Sequence, residues 1–88
     1  MPRPKRCRRI CSEPINNVFY PSVDNGLEGI SLTLDEYEVI RLVDLEGYDH
    51  LKCAKQMDIS RSTVQEIYES ARGKIASCIV YGRKLYIR

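Results

Sequence analysis

Asp49 and Ser60 can each accept the first free amides of a helix, and they stand so close together that the chain between them has no room for a long element. A helix begun at Asp49 must end before Ser60 opens the next, so it holds about two turns. Leu51, Ala54 and Met57 recur every three positions along it and form its expected apolar stripe. Beyond Ser60 a second stripe runs through Val64, Ile67, Ala71 and Ile75 toward Cys78 and Ile79, which predicts a longer helix over about 60–79. A short helix, a turn of about three residues and a longer helix with a small polar cap form the helix-turn-helix arrangement. Ala54 is small where two such helices would cross, and Ile59 can plug the core from within the turn. Asp58 occupies a position that prefers positive φ, which aspartate tolerates at some strain.

Upstream, Thr33-Leu34-Asp35-Glu36 is a capping box, with Leu32 and Tyr37 placed as a hydrophobic staple. It starts a first helix over about 34–46, with Tyr37, Ile40 and Val43 on one face and Gly47 as its stop. Asp35, Glu36 and Glu38 suit the first turns, where the helix dipole favours acids. Alternation of Ile30 and Leu32 around Ser31 suggests a short strand between Gly26 and Leu32. Leu85 and Ile87 suggest another at the C-terminus. Gly73 inside the third helix implies close packing or a local weakness. Residues 1–14 hold Pro2, Pro4 and Pro14 within a basic run and read as an arm, because proline removes amide donors and fixes φ. The expected fold is therefore mainly α: a three-helix helix-turn-helix domain over 15–88, with short β elements before the first helix and at the C-terminus.

Eighty-eight residues, 43% hydrophobic and 30% charged, suit one folded domain and leave little room for a deep catalytic cleft. No apolar run approaches the roughly 18 residues that span a bilayer, and no apolar h-region follows the basic N-terminus, so a cytoplasmic protein without membrane contact is expected. Charge is segregated. Five bases and no acid lie between Arg3 and Arg9, nine acids oppose Arg41 alone between Glu13 and Asp49, and eight bases oppose three acids from His50 onward. Basic blocks on either side of an acidic one suit a polyanion-binding surface whose acidic part turns away from the polymer. Double-stranded DNA is the expected partner. The third helix would then offer Arg61, Ser62, Thr63, Gln65 and Glu66 to base edges: Arg61 to guanine or else to phosphate, and Gln65 to adenine. Glu66 can only accept, so it would select cytosine or else merely repel phosphate. Thr63 has the alternative of serving only the first-turn backbone network. Lys52, Lys55, Arg72 and Lys74 are candidate phosphate contacts. Arg3, Lys5, Arg6, Arg8 and Arg9 of the arm suit phosphates or the minor groove.

Leu32-Thr33-Leu34-Asp35-Glu36-Tyr37-Glu38, Arg41-Leu42, Asp44, Glu46-Gly47, Ala54, Met57, Ser60-Arg61-Ser62-Thr63 and Glu69-Ser70-Ala71-Arg72-Gly73-Lys74-Ile75-Ala76 carry a resemblance. So do Pro2-Arg3-Pro4 with Cys7-Arg8, Phe19-Tyr20-Pro21, and Gly82 with Leu85 and Ile87. Over nearly its whole length the chain resembles a small uncharacterised prokaryotic family of predicted DNA-binding proteins, whose helix-turn-helix is similar to region four of sigma factors. The resemblance implies a DNA-binding module and, with it, a transcriptional regulator. The chain departs from the family's pattern at Asp58, where glycine is usual, and at His50-Leu51-Lys52-Cys53, where acids or glutamine are usual.

Rival classes have less support. His50 is the only histidine, and with no glycine-rich phosphate loop or paired carboxylates no enzyme activity is expected. Cys7 and Cys11, joined by Cys53 or Cys78, would be the ligands of a metal or redox sensor. One loose pair and one histidine do not make a zinc pattern, so no metal or other cofactor is expected, and Cys53 and Cys78 read as small core residues. RNA or protein binding through the same basic faces is a further alternative, although the chain lacks an aromatic platform. Helix-turn-helix proteins usually bind as dimers, and the strand near Leu85 offers an edge to a second copy.

Overall fold

The computed structural model describes residues 13–88. Strands β1 (Val18–Phe19) and β2 (Ile30–Leu32) precede helix α1 (Leu34–Ile40), which continues through a π-helical turn (Arg41–Leu45). Helix α2 (His50–Met57), helix α3 (Arg61–Tyr81) and strand β3 (Leu85–Ile87) complete a mainly helical domain.

Each helix starts where its cap residue dictates. Thr33 accepts the Glu36 amide while the Glu36 carboxylate accepts the Thr33 amide. Asp49 accepts the Lys52 amide at 2.7 Å, and Ser60 accepts the Thr63 amide at 3.1 Å. Stops are equally local: Gly47 and Gly82 take positive φ of 82° and 71°, which costs glycine little. The first helix runs as far as expected, but its last turn is wound to i→i+5, with the Glu46 amide on the Arg41 carbonyl at 3.0 Å. The third helix extends two residues past its expected end.

The fold has two packed clusters. Val39, Leu42, Cys53, Ala54, Met57 and Val64 form the first, with Ile59 and Ile67 packed against them. Leu32, Ala71 and Ile87 form the second, with Tyr37, Ile40, Ile75 and Leu85 around them. Helix α1 thus serves both clusters, and its best-buried apolar residues are Val39 and Leu42, outside the expected Tyr37-Ile40-Val43 stripe. The α2 stripe is also corrected. Leu51 is exposed, and Cys53 takes the buried place beside Ala54 and Met57, because α1 and α3 both press on that side.

The small sheet has the order β1-β3-β2. β3 is antiparallel to β1, with Val18 opposite Tyr86, and parallel to β2, with Ser31 opposite Tyr86. The strand near Leu85 is therefore central, and the edge expected there for a second copy is already paired on both sides. The strand expected between Gly26 and Leu32 is confined to its last three residues, since Gly26 and the Asx-type turns at Asp24 and Asn25 hold the preceding chain. Among the described residues no helix is long and apolar enough to cross a membrane.

Candidate nucleic-acid interface

A rise of 100° per residue sorts α3 into two arcs. Val64, Ile67, Tyr68 and Ala71 fall within one arc of about 100° and face the two clusters. Ser62, Gln65, Glu66 and Glu69 fall on the side turned away from them, Arg61 lies at the margin next to Tyr68, and all five are exposed. Helix α2 braces the buried arc from behind. The link is short: the Ile59 amide returns to the Ala54 carbonyl at 3.0 Å, and Asp58 stands in the left-handed region at φ 62°, ψ 46°. Ile59 is half-buried against the first cluster, which fixes the turn to the core.

Several side chains on this end are held in place. Gln65 donates through Nε2 to Glu69 at 2.6 Å, one helical turn on. The second Nε2 proton and the amide oxygen remain for other partners. Thr63 is half-buried and its hydroxyl lies 2.8 Å from the Ser60 hydroxyl, which also lies 3.2 Å from that of Ser62. Thr63 thereby joins the cap network, the alternative the sequence left open for it. Lys55 is exposed on α2, and the Lys52 ammonium lies 4.3 Å from the centre of the Tyr48 ring.

The two cations farther along α3 are used differently. Arg72 meets Asp44 through two contacts of 3.3 Å and lies over the Tyr68 ring, whose hydroxyl donates to the same carboxylate at 2.9 Å. Its side chain stays largely exposed, so the pair is a surface one and weak. Lys74 is withdrawn from the surface: its ammonium donates to Glu36 at 2.8 Å and to the Ser31 carbonyl at 2.9 Å. The sequence makes Lys74 a candidate phosphate contact; in the fold its ammonium is engaged by Glu36 and Ser31. Glu36 also accepts from Ser70. Burial alone would raise the Glu36 pKa, but the Lys74, Ser70 and Thr33 donors outweigh it and hold the carboxyl below its ordinary value.

Both Glu36 and Glu38, placed near the helix start by the sequence, are buried. Glu38 is fully buried and takes a two-pronged contact from Arg41 at 2.8 and 3.0 Å. Glu38 and Arg41 have the i,i+3 spacing that a local reading can find, whereas the cations of Glu36 and Asp44 come from α3 and carry no local sequence signal. Burial, followed by the nearby Glu38 charge, raises the Cys53 thiol pKa, so Cys53 is a core group and a poor nucleophile. Cys78 is shifted the same way by burial. Among the described residues no group of three or more histidines, cysteines, aspartates and glutamates could hold a metal ion. Arg3, Lys5, Arg6, Cys7, Arg8, Arg9 and Cys11 lie outside the described residues.

The structure defines a small mainly α domain with a three-stranded sheet, one helix of which turns an ordered polar arc to solvent at its N-terminal end. The chain belongs to the family described as Protein of unknown function DUF134, whose match covers residues 1–88. It is 46% identical over 89 residues to a UPF0251 protein of Desulfitobacterium hafniense, covering 99% of this chain and 71% of the relative. A UPF0251 protein of Aeromonas salmonicida is 42% identical over 93 residues, covering 100% of this chain and 88% of its own length. One from Methanothermobacter thermautotrophicus is 43% identical over 88 residues, and this chain spans 47% of it. The family therefore includes both bacterial and archaeal members. No solved structure matches the chain.

Proposed function

We propose that this protein binds double-stranded DNA sequence-specifically, as a cytoplasmic transcriptional regulator, with α2 and α3 acting as a helix-turn-helix. The observation that carries the reading is the exposed arc that runs from Arg61, at the margin of the buried stripe, through Gln65 and Ser62 to Glu66, on a helix braced by α2 across a three-residue turn. That arrangement suits insertion of the first two turns of α3 into a major groove. Arg61 would read guanine. Gln65, steadied by Glu69, would pair with adenine through the proton and oxygen it retains. Ser62 can donate to bases or backbone, Glu66 can select cytosine, and Lys52, Lys55 and the exposed face of Arg72 suit phosphates.

Selection of bound sites from random duplex DNA by the full chain tests this reading. Arg61→Ala and Gln65→Ala should each weaken binding to the selected site by about 1 to 3 kcal/mol and to random duplex by less. Both side chains are exposed, so the fold should be unaffected. Failure to enrich any sequence, or equal affinity of the variants and the parent on the selected site, would remove α3 from the interface.

A further inference from the structure

Three grooves adjoin along the flank of α1 and the C-terminal half of α3. The first, about 540 Å³, passes between Ile15, Ile40 and Leu45. The second, about 230 Å³, shares Ile40 with the first and continues over Ile75 and Ile79. The third, about 420 Å³, shares Ile75 and Ile79 and ends at Phe19 and Tyr20. Large apolar side chains along this path stand in solvent: Leu45 is 77%, Ile79 76% and Tyr20 69% exposed. Single exposed apolar residues are ordinary, but a continuous apolar path of this kind marks an interaction surface.

Its charges indicate the partner. Glu13, Asp44 and Glu46 border the first groove against Arg41 alone, which reaches Glu46 at 3.6 Å. Arg83 borders the third, and the Lys84 ammonium lies 5.7 Å from the Tyr20 ring centre and 3.9 Å from Asp24. One end is net acidic and the other basic, and the middle is apolar apart from the pair of Asp44 with Arg72. A surface so arranged complements itself when turned about a two-fold axis through its middle, because each acidic end then meets a basic one. We propose that this face is the docking site for a second copy of the chain, with the axis near Ile75 and Ile79 and Glu46 of each protomer set toward Lys84 of the other. Ile79 stands 18 residues beyond Arg61 on one continuous helix, about 27 Å away, so the proposed axis lies far from the N-terminal turns of α3.

Sedimentation equilibrium of the full chain without DNA tests the inference independently of DNA binding. The expected species at concentrations up to about 100 µM is a dimer of the 10.2 kDa chain. Ile79→Glu should raise the dimer dissociation constant at least about tenfold while leaving the thermal midpoint of dilute protein unchanged, since the side chain is exposed. Leu51→Glu, exposed on α2, should leave association intact. Glu46→Lys and Lys84→Glu should each weaken association, and combining them should restore it. A monomeric full chain, whether its own residues 1–12 or another protein occupies the face, would overturn the proposal. So would an Ile79→Glu dimer as tight as the parent, or a double charge variant no tighter than the single ones.

Discussion

Asp58 is the one described residue other than glycine with positive φ, and the sequence marked it in advance. A turn this short between two capped helices needs one left-handed residue, and aspartate is among the few side chains that enter that region. Thr33, Asp49 and Ser60 were legible for the same reason: a cap bonds an amide two or three residues away, so its evidence lies within the local sequence. Gly73 was legible only as two alternatives, close packing or a local weakness. A Cβ built there meets nothing within 4 Å and the residue lies exposed inside α3, which leaves the second. Its cost is then only that of glycine's extra backbone freedom. Gly73→Ala should raise stability by about 0.5 to 1 kcal/mol, read as a higher denaturant midpoint with an unchanged slope. A lower midpoint would show that something approaches the backbone there.

Among the elements, helix starts and stops were legible, while the choice of buried side was not. Three-residue spacing put Leu51 inward on α2, but two helices press on the adjacent side and bury Cys53 instead. In α1 the π turn adds a residue to the last turn, a winding that a search at 3.6 residues per turn does not detect. The capping box identified Glu36 as a cap, which it is, but did not show that it also joins α1 to α3 through Lys74 and Ser70. Its pKa is lowered in the fold, so it is a more acidic group folded than unfolded. Its stabilisation is therefore complete above the unfolded value, near 4.3, and is lost as pH falls through the lower folded value. Glu36→Gln should cost about 1 to 3 kcal/mol at pH 7, since it leaves the half-buried Lys74 ammonium without its counter-charge. The gap between parent and variant should narrow below about pH 4, followed by thermal midpoints across pH. A gap constant from pH 7 to pH 3 would mean that the Glu36 charge contributes nothing and the loss is one of shape.

For the molecule as a whole, the segregation of charge was legible, but the part of it free to meet a polymer was not. Part of the acidic middle block is already paired: Glu36 and Glu38 are buried with Lys74 and Arg41, and Asp44 meets Arg72 at the surface. Asp49 is occupied by the amide of Lys52. The basic C-terminal block therefore offers fewer charges near the start of α3 than its composition suggests, chiefly Lys52, Lys55 and Arg61. If DNA is the partner, Arg3, Lys5, Arg6, Arg8 and Arg9 must supply a large share of the neutralised phosphates. Each phosphate contact contributes nearly one unit to the slope of log affinity against log salt. Deleting residues 1–9 should accordingly flatten that slope by about 3 to 4 units, whereas Arg61→Ala should change it by about 1 or less. Preference among sites, set by α3, should largely survive the deletion. An unchanged slope would place all five basic side chains off the DNA and assign their charge to another partner.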